Sequence, residues 1–129
     1  MSDKFNVEII TPENSVLKAE AVEVIIPSYE GLMGILKDHI PLITFLRPGI
    51  IIVKDDKERK YYVEEGTVEF SNNNLLVLTS TVENISNLNS ELITSKLSEA
   101  QKKLESLEIS DKEKYYLTYK IDTLKTISG

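Results

Sequence analysis

The spacing of apolar residues changes once along this chain, and that change limits the folds it can adopt. Up to about Ile85, apolar and polar residues alternate with a period of two, as at Phe5, Val7 and Ile9, which is typical of β-strands with one buried face. From Asn89 onwards, apolar residues recur every three or four positions, which is typical of an amphipathic helix. The chain is therefore predicted to form strands first and helices afterwards.

The first part contains many short strand patterns separated by turn signals. Proline, glycine, asparagine or aspartate recurs at residues 12–14, 27–28, 48–49, 55–56, 66 and 72–74. This spacing predicts an antiparallel β-sandwich or flattened barrel. The runs IIIV at residues 50–53 and LLVL at residues 75–78 are apolar on both faces, so we expect central strands or strands covered by another element.

The second part predicts two helices joined as an antiparallel hairpin. Asn89 or Ser90 can cap the first helix, and Ser110 with Glu113 fits a capping box that starts the second. Few residues separate the two patterns, which favours antiparallel neighbours. The apolar stripes are Ile93, Leu97, Ala100, Leu104 and Leu107 in the first helix, and Leu117, Ile121 and Leu124 in the second.

We therefore predict two units, a β-sandwich domain at residues 1–86 and a helical hairpin at residues 87–129. Two helices cannot build a core of their own, so their stripes must also pack on something else. The polar connection at residues 83–89 has the composition of a hinge. A hairpin packed permanently on the sandwich, rather than one that moves about this hinge, agrees equally well with the sequence.

Charge and cysteine content argue against several classes of function. The net charge is −6; residues 1–88 carry 8 basic and 14 acidic side chains (8 − 14 = −6), and the rest carry 7 of each (7 − 7 = 0). An acidic surface repels phosphate, so we expect no nucleic-acid partner, and without a basic cluster we expect no direct lipid binding. Cysteine is absent, which excludes thiolate chemistry. No apolar run approaches the roughly 20 residues that span a bilayer, so membrane association is expected to come through a partner.

Residues 29–49 hold the only histidine, two of the four prolines and three of the five glycines. A catalytic site, an architectural turn and a docking loop are the possible interpretations. His39 lies beside Asp38, but no acidic cluster or catalytic motif accompanies them. We therefore expect no catalytic residue, metal site or cofactor. An enzyme that uses His39 with Asp38 is the least favoured of three hypotheses about function.

The turn and the docking loop depend on the same residues. As a turn, the segment would use Gly31 and Gly34 for positive φ or close backbone approach, and Pro41 and Pro48 to fix strand ends. Leu32 and Met33 would then place apolar side chains at a loop tip, where water is expected. Exposed apolar residues beside glycines favour a docking loop.

Several stretches stand out together: residues 5–12 (FNVEIITP), 26–27 (IP), 30–31 (EG), 34–36 (GIL), 39–42 (HIPL), 46–49 (LRPG) and 77–79 (VLT), with Gly66. Together they resemble the epsilon subunit of the rotary, proton-translocating ATP synthase of bacteria. The resemblance covers nearly the full length, including the order of strands and then two helices. The combined Gly–His–Pro–Gly spacing is its specific element.

The resemblance implies a non-catalytic rotor subunit of the central stalk, which couples proton flow through the membrane ring to ATP synthesis. One face of the sandwich would contact the gamma subunit, and the loop at residues 30–39 would contact the rotor ring. Sides left apolar, such as the one around residues 50–53, would suit broad contacts with several partners. The hairpin would either lie folded on the sandwich or extend along gamma toward the catalytic head of alpha and beta subunits, where it would weakly oppose ATP hydrolysis. The expected location is peripheral, on the cytoplasmic face of the bacterial inner membrane. The expected interface residues for ring and gamma are Glu30, Gly31, Leu32, Met33, Gly34, His39 and Pro41.

ATP binding by the hairpin is not expected. Some members of the family bind ATP through Ile/Leu-Asp-x-x-Arg-Ala, whereas residues 88–93 here read LNSELI and the hairpin contains no arginine, the side chain that holds phosphate with two hydrogen bonds. Helix lysines would meet an acidic surface on the head or simply face solvent; they are Lys96, Lys102, Lys103, Lys112, Lys114, Lys120 and Lys125. The alternative function is a free-standing β-sandwich adaptor that binds a protein or peptide.

Overall fold

A computed structural model describes residues 3–106 and 108–128. Ten strands are followed by a short 3-10 turn and two α-helices, so the predicted order is confirmed. The strands are β1 (Phe5–Ile10), β2 (Ser15–Ala21), β3 (Glu23–Ser28), β4 (Gly31–Leu36), β5 (Leu42–Leu46), β6 (Gly49–Lys54), β7 (Glu58–Val63), β8 (Gly66–Ser71), β9 (Asn74–Leu78) and β10 (Val82–Asn84). The 3-10 turn is Ile85–Asn87, and the helices are α1 (Ser90–Leu104) and α2 (Asp111–Ser128).

The strands form one curled sheet that folds over on itself as a sandwich. Its order is β10-β7-β6-β3-β5-β8-β9-β1-β2, and β4 pairs with β3 outside this path. Pairing among these strands is antiparallel, as predicted, apart from β1 and β9, which run parallel from Asn6↔Asn74 to Ile10↔Leu78. Pro41 and Pro48 lie just before β5 and β6, in agreement with their predicted role at strand ends.

The core of the sandwich is built from the inward side chains of the strands. Alternate residues of β1 are fully buried, and the Phe5 ring meets the edge of the Phe70 ring with centroids 5.6 Å apart. The buried residues of this core lie between Phe5 and Val77. No side chain of α1 or α2 belongs to it within the described residues.

The two helices form the predicted hairpin, and local hydrogen bonds fix where they begin. The Leu92 amide donates to Asn89 Oδ1 at 2.8 Å, and the Glu113 amide donates to Ser110 Oγ at 3.1 Å. Leu107 of the predicted stripe lies outside the described residues. The buried stripe residues are Ile93 and Ala100 in α1, and Leu117, Ile121 and Leu124 in α2.

The predicted hinge at residues 83–89 contains regular structure. Strand β10 pairs with β7, with Glu83 opposite Tyr62, and the 3-10 turn follows at once. Glu83 and Asn84 of this connection are therefore part of the sheet, and the next three residues form the 3-10 turn. In the part of the chain that the structure describes, no helix combines the length and the hydropathy needed to cross a bilayer.

Candidate functional site

Most of the predicted docking loop is a β-strand. β4 covers Gly31–Leu36 and pairs with β3 through a turn at residues 29–30. Leu32 is exposed while Met33 packs against the core, and this alternation continues to the end of the strand. The prediction that both residues lie at a loop tip is therefore wrong. The two glycines suggested a loop, although side chains along this segment alternate between outward and inward as they do in a strand.

Only one of the two glycines in this segment needs its special backbone freedom. Gly31 has φ of +120°, a conformation that residues with a Cβ rarely adopt. Ser28 closes the turn around it, since its hydroxyl donates to the Gly31 carbonyl at 2.7 Å and accepts from the Glu30 amide at 3.2 Å. Gly34 has no positive φ, and a Cβ there would meet only the end of the Glu23 side chain at 3.2 Å. The predicted role of Gly34 is thus not supported.

The predicted interface residues do not share one tip. Glu30 lies at one end of β4, whereas His39 and Pro41 follow its other end. A strand of six residues separates these ends by roughly 20 Å. The set therefore forms a strip along one edge of the sandwich, and we call residues 30–41 the β4 strip.

The side chains of His39 and Asp38 have separate partners. His39 Nδ1 donates to the Ile40 carbonyl at 2.7 Å, and its ring meets the Phe70 ring edge-to-face with centroids 6.0 Å apart. The Asp38 carboxylate accepts from the Asn73 amide group at 2.9 Å, and the Asp38 backbone N–H donates to Asn73 Oδ1 at 2.7 Å. These contacts argue against a catalytic His39–Asp38 pair, and they tie two turns of the sandwich together.

No metal centre is evident in the described ranges, 3–106 and 108–128. Groups of three or more His, Cys, Asp or Glu side chains placed to hold a metal ion are absent there. The acidic residues of the sandwich are instead distributed over several strands and turns.

A second surface, which the sequence analysis missed, lies on β5. We call it the β5 face and define it by Ile43 and Phe45 of β5 and Leu78 of β9. Ile43 is 75% exposed and Phe45 is 58% exposed, while Thr44 between them is buried. This strand turns Ile43 and Phe45 outward, while Leu42, Thr44 and Leu46 face inward. Both faces are therefore largely apolar, and the pattern of two did not reveal which face meets solvent.

The apolar side expected at residues 50–53 is not exposed. Ile51 and Val53 are fully buried in the core, and their neighbours Ile50 and Ile52 are half-buried. Helix α2 lies against this strand. The run is therefore a covered central strand, which was one of the two predicted alternatives, and the expected location of the apolar surface is wrong.

A cleft continues the β5 face toward the hairpin. It has a volume of about 970 Å³, and Phe45 and Leu78 line it on the sandwich side. Lys112, Glu113 and Tyr116, near the start of α2, line it on the other side. One continuous surface thus includes both the sandwich and the helical hairpin.

Glu64, just after β7, joins the hairpin to the sandwich. Its carboxylate accepts hydrogen bonds from the hydroxyls of Tyr62 and Tyr116, both at 2.8 Å, and pairs with Lys120 Nζ at 3.2 Å. Burial alone would raise the pKa of the Glu64 carboxyl, but the two hydroxyls and the ammonium together lower it below its ordinary value. Burial raises the pKa of Tyr62 and of Tyr116, so both hydroxyls stay protonated as donors.

Aromatic and apolar contacts complete the docking of the hairpin. Tyr115 stacks on Tyr29 with ring centroids 5.4 Å apart, and the Arg47 guanidinium lies 4.0 Å from the centre of the Tyr119 ring, a favourable cation–π geometry. The buried cluster between the two units consists of Tyr62, Ile93 and Leu124. The hairpin is thus packed on the sandwich in this structure.

A family model described as ATP synthase, Delta/Epsilon chain, beta-sandwich domain matches residues 4–85. The ATP synthase epsilon chain of Pelagibacter ubique is 49% identical, over 99% of this chain and 100% of that relative. The chain belongs to the ATP synthase epsilon chain family. The chloroplastic epsilon chain of Pyropia yezoensis is 38% identical over 90% of this chain and 87% of its own length.

Two solved structures show the same fold at low sequence identity. A chain in the Euglena gracilis mitochondrial ATP synthase, OSCP/F1/c-ring, aligns with a TM-score of 0.82 at 18% identity, over 98% of this chain and 82% of that chain. A chain in the Tetrahymena thermophila mitochondrial ATP synthase, central stalk/c-ring, aligns with a TM-score of 0.67 at 12% identity, over 96% of both.

Family membership confirms the resemblance stated from the sequence. An epsilon chain is a rotor-stalk subunit of ATP synthase without a catalytic site of its own. The predicted function and non-catalytic role are therefore confirmed at the level of the family. The alternative of a free-standing adaptor is not supported.

Proposed function

We propose that this chain links the gamma subunit to the membrane rotor ring and transmits rotation between them. Such a role needs a rigid body with contact surfaces on more than one side. The observation that carries the proposal is the β5 face, where Ile43 and Phe45 point large apolar side chains into solvent. Side chains of this kind, gathered on one face, mark a surface that another protein covers.

The gamma subunit contacts the β5 face and enters the adjoining cleft. The face supplies apolar area at Ile43, Phe45 and Leu78, and the cleft supplies polar groups at its rim, among them Lys112 and Glu113. An apolar centre with a polar rim is the usual anatomy of a protein interface. Gamma, in this arrangement, touches both the sandwich and the docked hairpin.

The rotor ring contacts the β4 strip. Glu30, Leu32 and Gly34 are exposed along it, and His39 is half-buried at its far end. The ring's polar loops meet a mixed surface here, with Glu30 at one end, Lys37 and Asp38 at the other, and apolar side chains between. As part of a membrane-associated complex, the chain is peripheral, and we place it on the cytoplasmic face of the bacterial inner membrane.

The hairpin acts as a regulatory element with two positions. In the docked position its helices cover Tyr62 and bind Glu64; in the extended position they reach the catalytic head and weakly oppose ATP hydrolysis. Such a switch responds only to partners that bind one position better than the other. Lys120 is held by Glu64 in the docked position, so this lysine meets the head only after the hairpin leaves.

Binding to gamma tests the proposal. We expect purified chain and its host's gamma subunit to form a one-to-one complex, and the double change Ile43→Asp with Phe45→Asp to weaken it at least 10-fold, because buried carboxylates without partners oppose association. Isothermal titration calorimetry measures both affinities. The control is Val16→Asp, which places one carboxylate at an exposed apolar residue on β2.

Equal binding by the double variant and the original chain would place gamma elsewhere on the molecule. Failure of the original chain to bind gamma would overturn the proposed linking role as a whole. Circular dichroism of each variant shows that the sandwich remains folded.

A further inference from the structure

Strand β4 leaves one of its edges unpaired. It pairs with β3 on one side, and within the described residues no strand pairs with its other side. Leu32 and Leu36 are 72% and 54% exposed, and β4 (GLMGIL) carries no charged side chain. An apolar, uncharged strand edge is a ready template for pairing with another chain.

Hydrogen bonds on β3 show which groups of β4 point outward. The Pro27 carbonyl accepts from the Arg47 amide at 3.0 Å, so Pro27 directs its backbone groups away from β4. Leu32 is opposite Pro27; because pairing alternates along an antiparallel ladder, Leu32 points its own N–H and C=O toward the open edge. Gly34 and Leu36 do the same, although the Leu36 carbonyl already accepts from the His39 amide at 3.1 Å.

Two other strands that end the sheet are protected, and β4 is not. β2 has exposed Lys18 and Glu20 along its length, and β10 has only three residues. Charged side chains and short length are the usual protection of a strand edge. The absence of both at β4 is therefore a specific property of this edge.

A second copy of the chain does not fit this edge. Pairing two β4 strands antiparallel about Gly34 would place Leu32 opposite Leu36, which suits the apolar side chains. The same register brings Glu30 of each copy toward Asp38 of the other, beyond the ends of the strand, where Lys37 is also exposed. A net charge of −6 on each copy opposes the approach of two such edges.

We propose that the open edge of β4 takes up an extended segment of a neighbouring rotor subunit as an additional strand. The segment is uncharged in its middle, has apolar side chains opposite Leu32 and Leu36, and has a basic residue near Glu30. Main-chain hydrogen bonds supply affinity, and the alternate side chains supply specificity. The inference rests on the proposed function, because the β4 strip is taken there as a subunit contact.

Replacing Gly34 by proline tests the backbone contact directly. Gly34→Pro removes an outward N–H, and proline is tolerated on an edge strand whose N–H faces solvent. Gly34→Ala is the matched control, since it keeps the N–H and its Cβ meets only the end of Glu23. With the host's ATP synthase depleted of this subunit as probe, we expect Gly34→Pro to assemble at least 10-fold more weakly than Gly34→Ala, because only the proline variant lacks the outward N–H.

Amide hydrogen exchange provides the second measurement. In the free chain we expect slow exchange at Met33 and Ile35, which pair with β3, and fast exchange at Leu32, Gly34 and Leu36. In the complex, exchange at these three residues becomes slow. Should Gly34→Pro not fold, Leu32→Lys takes its place, with Val16→Lys on the protected edge of β2 as control.

The two proposals fail in different ways. If the original chain does not assemble with the depleted complex, the proposed function is wrong. If it assembles but Gly34→Pro assembles equally well, or the three amides stay fast, the added strand is wrong while the function stands. Concentration-dependent dimers of the free chain that slow the same amides would assign the edge to a second copy and also overturn the inference.

Discussion

Among single residues, Glu64 joins the sandwich to the hairpin through three partners. Its carboxylate receives Tyr62 from the sandwich, and Tyr116 and Lys120 from α2. The Glu64 and Lys120 side chains are only 12% and 16% exposed, so solvent screens their pairing less than it would a surface pair. The docked position of the hairpin therefore depends on one charged acceptor.

Glu64→Gln is expected to lower the free energy of unfolding of the chain by about 1–3 kcal/mol. The variant loses hydrogen bonds to a charged group, and Lys120 stays half-buried without its partner. Urea unfolding followed by tyrosine fluorescence measures this, since the chain has six tyrosines and no tryptophan. Glu65→Gln, at the exposed neighbour, should change the unfolding free energy by less than about 0.5 kcal/mol.

The effect of Glu64→Gln should also depend on pH. The pKa of Glu64 in the folded chain lies below the ordinary value of 4.5, so its stabilisation is complete above that value and is lost as pH falls through the lowered pKa. We expect the difference between original chain and variant to be constant from pH 6 to 8 and to shrink below about pH 4.5. A difference that persists unchanged into strong acid would contradict the assigned role of the charge.

Local contacts at the residue scale could be predicted from the sequence, whereas distant ones could not. The caps at Asn89 and Ser110 involve residues three positions apart, and short spacing leaves few alternatives. The contact of Tyr116 with Glu64 joins residues 52 positions apart. No periodicity indicates which carboxylate a given tyrosine will meet.

At the scale of elements, the turn between β5 and β6 depends on the absence of a side chain. A Cβ at Gly49 would lie 2.5 Å from Pro27 Cβ and 2.8 Å from Pro27 Cγ, and both residues are buried. Pro27 belongs to β3, so glycine allows two neighbouring strands to approach closely. The sequence showed a Pro-Gly turn here, but not that β3 lies against it.

Gly49→Ala is expected to destabilise the chain by about 1–3 kcal/mol, because the added methyl group must displace a rigid proline ring. Gly34→Ala, where only a flexible carboxylate end lies near, should change stability by less than about 0.5 kcal/mol. Thermal unfolding followed by circular dichroism compares the two. Equal stability of both variants would mean that the β5–β6 turn relaxes away from Pro27 without cost.

The boundaries of the strands agreed with the sequence pattern wherever polar turn residues interrupted it. The exception is β4, which was predicted to be a loop. Gly31 and Gly34 suggested a loop, but only Gly31 has a positive φ. Gly34 lies on an edge strand with an exposed position, where a missing side chain removes little packing. Composition alone does not distinguish a glycine that turns the chain from one that merely lies in a strand.

At the scale of the whole molecule, the sandwich and the hairpin differ in how they are stabilised. The core of the sandwich is made of side chains from its own strands. The hairpin buries Ile93 and Leu124 against Tyr62 of the sandwich. The larger unit therefore has what it needs to fold alone, and the smaller one does not.

A fragment ending at Ser86 is expected to keep the β-sheet spectrum and a dispersed NMR spectrum, with lower stability because Tyr62 becomes exposed. In the reconstituted complex, ATP hydrolysis should be unchanged or faster than with the full chain. The separate fragment 87–129 should be largely unstructured, since two short helices without a surface to cover are marginal in water. An unfolded sandwich fragment would mean that the proposed division into two units is wrong.

The parallel pairing of β1 with β9 has a consequence for biosynthesis. Asn6 and Asn74 are neighbours in space but 68 positions apart along the chain. Until β9 has been synthesised, β1 can pair only with β2. The backbone N–H and C=O groups on the other edge of β1 then have no partner strand. Contacts of such long sequence separation form slowly, so the nascent sheet closes only after nearly the whole sandwich has emerged, and the helices can settle on it only after that.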